Sequence, residues 1–407
     1  MESEPSFQSS GLENLVADNE LSCVEVSVVM PCLNEADTLE TCIRKARQAL
    51  RENNIAGEII IADNGSTDSS QHIASRMGAR VIHVESKGYG NALMGGVAAA
   101  RGTFIIMGDA DDSYDFLEIP RFVEKLRAGY DLIQGCRLSS GGGKIMPGAM
   151  PVLHRWWGNP MFSAMARHWF KAQVIHDVYC GFRGFTKEFY QRLNPRCTGM
   201  EFATEMIIKA SLFREKISEV PITLHRDGRK SHAPHLKTFR DGWRTLRFFL
   251  MYSPRWLFVI PGALLILLGL IGYTLAMPGT RLGHVTFDAH TLLFASLAII
   301  CGYQSILFAV FTKTFAVGEG LLPEDRYYNW FFRVANLERG IIIAGGALLM
   351  GLILLLAAVN EWRLVDFGHL DYAKTMRLVV PGVTLTALGF QTILSSFFVS
   401  ILGMRRR

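Results

Sequence analysis

Phe104-Ile-Ile-Met-Gly-Asp-Ala-Asp-Asp-Ser-Tyr114 begins as a short apolar run, Phe104 to Met107, halts at Gly108 and at once meets carboxylates at 109, 111 and 112. An apolar run this short, bounded by a glycine, reads as a buried strand whose end aims the acids. Asp109 and Asp111, at i and i+2 just past a strand end, can both face one point in a cleft. Hard oxygen donors in that arrangement suit a divalent cation, Mg²⁺ or Mn²⁺, holding a diphosphate. A solvated acidic turn has the same composition, so the surroundings decide between the two.

Outward from this stretch the chain alternates between strand and helix patterns. Strands are expected at 24–30, 58–62, 80–84, 103–107 and 131–135, with helices at 38–50, 69–77, 89–100 and 119–127. This order predicts an α/β domain, a mostly parallel sheet with helices on both faces. Ligands of such sheets bind at the carboxyl ends of the strands. Pro31, Asn34 and Glu35 follow the first strand, Asp63 and Asn64 the second, and Asp109 and Asp111 the later one. Three strands delivering polar groups to one edge make a site there.

Each cluster also has a plain structural reading. In Pro31-Cys-Leu-Asn-Glu35, Asn34 suits a turn and Asp37 an N-cap, while the functional reading gives Asn34 and Glu35 hydrogen bonds to a nucleoside. Asp63-Asn-Gly-Ser-Thr-Asp68 contains an Asn-Gly turn, with Ser66 or Asp68 to cap the next helix. Asp63 is needed for neither job, and a carboxylate there can accept from the N–H of uracil or guanine. Lys87-Gly-Tyr-Gly-Asn-Ala92 is no dinucleotide fingerprint, because Leu93 stands where a third glycine is required. Its glycines permit a tight turn, and Lys87 at the helix start can help hold phosphate. The acids of 177–183 and 201–205 sit beside apolar residues and either group can face the cleft. Trp156, Trp157, Phe162, Trp169 and Phe170 suit a membrane surface or a core equally well.

With 407 residues, 49% hydrophobic, and a formal charge of +5, the chain holds more than one soluble domain. Four runs, 256–277, 292–312, 340–359 and 378–404, are each close to the ~20 apolar residues that span a bilayer as a helix. None carries an ionisable side chain in its middle, which favours an anchor or a lipid-binding wall over a transport pathway. Ahead of them, 237–252 places Arg240, Arg244 and Arg247 on one helical face opposite Phe239, Trp243 and Leu246, an amphipathic helix for the interface. His225-Arg-Asp-Gly-Arg-Lys-Ser231 is a basic turn placed to meet an anionic headgroup. A cytosolic first domain, four spans, and Lys313, Arg326, Arg333 and Arg405 to Arg407 inside satisfy the positive-inside preference, which Arg363, Lys374 and Arg377 dilute. The polar stretch 1–22 reads as a disordered tail without a signal peptide. Seven cysteines with no Cys-x-x-Cys pair point to a reduced compartment and away from zinc. The expected division is therefore tail 1–22, α/β domain 23–235, juxtamembrane helix 236–255 and membrane domain 256–407.

Taken in order, Pro31-x-x-Asn-Glu35, Asp63-x-Gly-Ser-x-Asp68, Asp109-Ala-Asp111, Gly135-x-Arg137, Cys180-Gly-Phe182 and Arg226-x-Gly-Arg-Lys-Ser231 resemble the family-2 glycosyltransferases of the polyprenyl-phosphate type, of which dolichol-phosphate mannose synthase is one. The likeness spans about 24–255. It implies a GT-A fold, an inverting mechanism, a UDP- or GDP-hexose donor and a polyprenyl phosphate acceptor. On that resemblance Pro31, Leu33, Asn34, Glu35 and Asp63 hold the nucleoside, with Lys87, Ala110 and Arg137 also on the donor side. Asp109 and Asp111 bind the metal, with Ser113 standing where members often carry Gln. Arg226, Arg229, Lys230 and Ser231 take the acceptor phosphate, in a Lys-Ser order where members have Ser-Lys. The membrane is the expected location, a bacterial inner membrane with the catalytic domain cytosolic. Homo-oligomers are allowed and nucleic acid is not a partner. A polysaccharide synthase would need Gln-x-x-Arg-Trp, but Val152 and Tyr252 occupy the Gln positions before Arg155-Trp156 and Arg255-Trp256. Another membrane acceptor, or a non-catalytic scaffold or lipid carrier, is the remaining alternative.

Overall fold

The computed structural model describes residues 24–231, 238–326, 328–330 and 337–404. The tail at 1–22, Lys237, Arg333 and Arg405 to Arg407 lie outside the described residues. The chain divides into two compact units whose boundary falls between Phe248 and Phe249, within the helix expected as a connector.

The first unit runs β1 (Val26–Cys32), α1 (Leu39–Glu52), β2 (Gly57–Asp63), α2 (Ser70–Arg76), β3 (Arg80–His83), α3 (Tyr89–Ala99), β4 (Phe104–Met107), α4 (Ile119–Arg127) and β5 (Leu132–Cys136). It continues through β6 (Lys144–Ile145), α5 (Asn159–Phe170), β7 (Arg183–Thr186), α6 (Lys187–Leu193), α7 (Glu201–Leu212), β8 (Ile217–Pro221) and β9 (Thr223–Leu224), and α8 (Thr238–Met251) carries the chain across the boundary into the second unit. Seven strands form one sheet in the order β3-β2-β1-β4-β7-β5-β8, parallel except for β7, which runs antiparallel to both neighbours. This is the mostly parallel α/β sheet expected of a GT-A domain.

Burial follows the periodicity of the sequence. Strand β1 is inaccessible along nearly its whole length, as a central strand covered on both faces must be. Helix α1 turns Leu39, Cys42, Ile43, Ala46, Ala49 and Leu50 inward, the i, i+3, i+4, i+7 stripe of an amphipathic helix. Truncating Ile43 to Ala in such a core costs about 2–5 kcal/mol. Register then fixes the site edge. Cys32 lies opposite Asp63 and Val29 opposite Met107, so the loops after β1, β2 and β4 leave the sheet from one side. The short pair β6–β9 draws the chain after Leu224 back toward the acidic turn, where Tyr114 bridges Leu224.

The second unit holds α9 (Ile260–Ala276), α10 (Ala289–Gly318), α11 (Leu337–Leu364) and α12 (Tyr372–Gly403). With the π-turn Arg255–Val259 leading into α9, these are four helices long and apolar enough to cross a membrane, at mean hydropathy 1.7 to 2.7. They cover all four expected spans apart from the end residues Met277 and Met404, and extend several residues beyond them elsewhere.

Candidate active site

The acidic turn follows β4 as its pattern requires. Asp109 accepts a hydrogen bond from the Tyr89 hydroxyl at 2.8 Å. Its other oxygen faces Gly181, where a Cβ would come within 2.9 Å. Burial, and then the negative charge of Asp111, push the Asp109 carboxyl up to about 7. Asp111 uses Oδ1 to accept from the Ser113 hydroxyl (2.6 Å) and amide (3.1 Å), so Ser113 orients Asp111. Asp112 turns away at φ 60° and pairs with Lys45 at 2.8 Å. Ala110 is buried, and its carbonyl accepts from Thr38 at 2.6 Å, which ties the acidic turn to the loop after β1.

The basic turn lies directly on this element. The amide of His225 donates to the Ser113 carbonyl and that of Gly228 to the Asp111 carbonyl, both at 2.9 Å. Arg229 grips Glu35 through two bonds of 2.7 and 2.5 Å, Asp227 at 2.7 Å and Asp111 Oδ2 at 3.3 Å. Asp37 accepts from the amides of Lys230 (2.9 Å) and Ser231 (2.8 Å). Arg226 and Lys230 remain exposed. Arg226 donates to the Pro147 carbonyl and lines, with Met146, Pro147 and His225, a cavity of about 340 Å³.

Other candidates have partners the sequence did not disclose. Asp63 was expected to have no structural job, yet it accepts from the amides of Gly65 (3.1 Å) and Ser66 (3.2 Å) and from Gln71 (2.9 Å), closing an Asx turn. Asn34, at φ 62°, accepts from the Thr67 amide at 2.7 Å, while Leu33 beside it is exposed and Pro31 is part-buried. Lys87 donates to the Asn64 carbonyl at 2.6 Å, fastening α3 to the turn after β2. Asp37 caps no helix: Thr38 precedes α1 without a side-chain cap bond. Arg137, expected at phosphate, is instead buried in a two-bond pair with Asp177 at 2.7 and 2.9 Å. Glu205 pairs with Lys209 at 2.8 Å and accepts from the amides of Arg196 and Cys197. Asp177 and Glu205, one from each acidic segment left open by the sequence, are thus both paired, while Glu201 lies 3.9 Å from Arg244. Tyr89, Thr38 and Asp227 escaped the sequence reading. Only Tyr89, set between two glycines at a helix start, left a trace of its role there.

Together these features define the class, an α/β transferase domain on a multi-pass membrane anchor. The family models agree. Residues 27–193 match glycosyl transferase family 2, and residues 310–403 match the glycosyltransferase family 2 C-terminal transmembrane region. The low-salt glycan biosynthesis hexosyltransferase Agl6 of Haloferax volcanii is 36% identical, over 97% of this chain and 93% of that protein. A dolichyl-phosphate hexose transferase of the same organism is 31% identical over 49% of this chain and 82% of that one. Among solved structures, glucosyl-3-phosphoglycerate synthase of Mycobacterium tuberculosis, in complex with Mn²⁺, UDP and glucosyl-3-phosphoglycerate, has a TM-score of 0.45 and 22% identity, covering 62% of this chain and 85% of that one. The chain belongs to glycosyltransferase family 2, and it is a membrane-bound glycosyltransferase.

Proposed function

We propose that this enzyme moves a hexose from a UDP- or GDP-sugar to a polyprenyl phosphate, with inversion, using a divalent cation. The carrying observation is that the basic turn 225–231 is hydrogen-bonded onto the acidic turn 109–113. A site for transfer between two phosphorylated substrates needs acids for a metal–diphosphate on one side and cations for an acceptor phosphate on the other, close enough to bring the reacting atoms to about 3–3.5 Å.

Asp109 and Asp111 fit a hard divalent ion. They are two carboxylates at one strand end, Asp109 raised by burial and then by the charge of Asp111, and such ions are commonly held by one or two carboxylates plus substrate phosphate oxygens and water. When bound, Mg²⁺ or Mn²⁺ supplies Lewis-acid neutralisation of the departing nucleoside diphosphate. Pro31, Leu33 and Asn34 line the nucleoside side, with Asp63 stiffening the turn beneath it. Arg226, which lines the 340 Å³ cavity, and Lys230, exposed on the same turn, hold the acceptor phosphate.

A lipid monophosphate has its second pKa near ~6 and is largely dianionic at neutral pH, so it attacks without a general base. Asp177, Glu205 and Glu35 are each paired with a cation, in keeping with a reaction that asks none of them to act as a general base. The relative named for dolichyl-phosphate hexose transfer supports the same acceptor class.

The test is transfer of radiolabelled hexose from a panel of UDP- and GDP-sugars to polyprenyl phosphate by the purified full chain. Product should form with Mn²⁺ or Mg²⁺ and vanish with chelator. Asp111→Ala should lower turnover by at least ~100-fold while leaving the circular dichroism spectrum unchanged. Undiminished transfer by metal-stripped enzyme sinks the metal assignment, and product only on a glycolipid or glycan acceptor sinks the lipid phosphate.

A further inference from the structure

Arg229 sits where the donor, metal and acceptor readings meet. Its Nε and Nη2 are held by Glu35, and its Nη1 faces both Asp227 and Asp111 Oδ2. Because Ser113 occupies Asp111 Oδ1 with two donors, Oδ2 is the oxygen left to a cation, and it is the oxygen that Arg229 faces. We propose that Arg229 is a built-in counter-ion of the metal site, neutralising Asp111 until the divalent cation arrives and then turning to the nucleoside diphosphate while Glu35 keeps its hold. This rests on the donor and metal reading above.

Three observations carry the inference. The contact to Asp111 is the weakest of the three, a single 3.3 Å approach against a two-bond grip on Glu35, so it is the one that yields. A guanidinium and a divalent ion at one carboxylate oxygen repel each other, so an ion at Oδ2 would weaken the guanidinium's 3.3 Å approach there. The backbone beneath does not have to move. Gly228, Lys230 and Ser231 are pinned by their own amides to Asp111 and Asp37, so a small tilt that takes Nη1 off Asp111 is enough, with Nε and Nη2 still on Glu35. The displaced guanidinium, still on Glu35, is then a planar donor suited to phosphate oxygens. Arg229 thus contacts the donor diphosphate and is not a ligand of the acceptor phosphate.

Metal binding to the full chain, followed by the resonance of free Mn²⁺ and separately from turnover, tests this. Arg229→Met should bind Mn²⁺ alone roughly tenfold more tightly, if the paired state holds about nine molecules in ten, because the internal competitor is gone. The same variant should bind UDP or GDP more weakly at saturating Mn²⁺. Asp227→Asn should act with the opposite sign on the metal, since an Arg229 with one acid fewer holds Asp111 more firmly. Unchanged or weaker Mn²⁺ binding by Arg229→Met overturns the proposal, as does unchanged or tighter binding by Asp227→Asn. A wild-type protein that takes up no Mn²⁺ even with nucleotide overturns the metal reading itself, and this proposal with it.

Discussion

At the scale of single residues, the site concentrates charge at some cost to the fold. Burial, and then the negative charge of Asp111, push the carboxyl of the part-buried Asp109 up to about 7. A group whose folded pKa lies above its unfolded value contributes stability that is fully present below the unfolded value. That stability is lost as pH rises through about 7. Asp109→Asn does not titrate and can still accept from Tyr89, so the variant should be inactive yet melt at a higher temperature than wild type in chelator. The gap should be wider at pH 8 than at pH 5. Scanning calorimetry at the two pH values checks this, and an equal gap at both would refute the electrostatic cause. The same scale shows why Asp37 was misread. A carboxylate just before a helix looks like a cap, and only the folded chain brings residues 230 and 231, nearly two hundred positions away, to its oxygens.

Among elements, those that carry a period were legible. The helices α1 and α4 and strands β1, β2 and β4 fall within two residues of expectation, because a buried stripe or an unbroken apolar run leaves few alternatives. Strand β7 was not legible. Four residues, Arg-Gly-Phe-Thr, have no period, and their place between β4 and β5 is set by partners some 50 to 80 positions earlier. What inserts β7 is the preceding segment. Phe182 packs on Tyr114, Phe116 and Phe122 with ring centroids 4.8 to 5.7 Å apart, and Gly181 donates to the Tyr114 hydroxyl. Asp177 anchors the start of this segment through its buried pair with Arg137. Removing one partner of a buried ion pair strands the other, so Asp177→Ala should destabilise this unit by about 3–5 kcal/mol. The double variant with Arg137→Met should recover most of that loss. Urea unfolding followed by tryptophan fluorescence measures both. A double variant as unstable as the single one would show that Arg137 has a further role, such as the phosphate contact the sequence suggested.

For the molecule as a whole, the two units follow different rules, and the sequence changes rule within α8. The first unit is held by apolar burial around a sheet. Among helices in lipid that driving force is missing, and close backbone approach and shared hydroxyls take its place. The second unit shows both devices. Tyr273 on α9, Ser296 on α10 and Thr384 on α12 form a hydrogen-bonded triangle with edges of 2.6, 3.1 and 2.9 Å. Gly262 and Gly302 let α9 and α10 touch: a Cβ at Gly302 would come within 2.6 Å of the Gly262 carbonyl and 2.9 Å of the Ile266 amide. Those atoms are backbone and cannot rotate away, whereas the triangle can be re-satisfied locally when one hydroxyl is lost. Gly302→Leu should therefore disrupt packing of α9 on α10 severely. Tyr273→Phe should cost only ~0.6 kcal/mol, the typical worth of one interhelical hydrogen bond in a membrane. Thermal unfolding of the two variants in detergent ranks them, and a Tyr273→Phe loss equal to that of Gly302→Leu would mean that polar bonding, not backbone contact, holds these helices together.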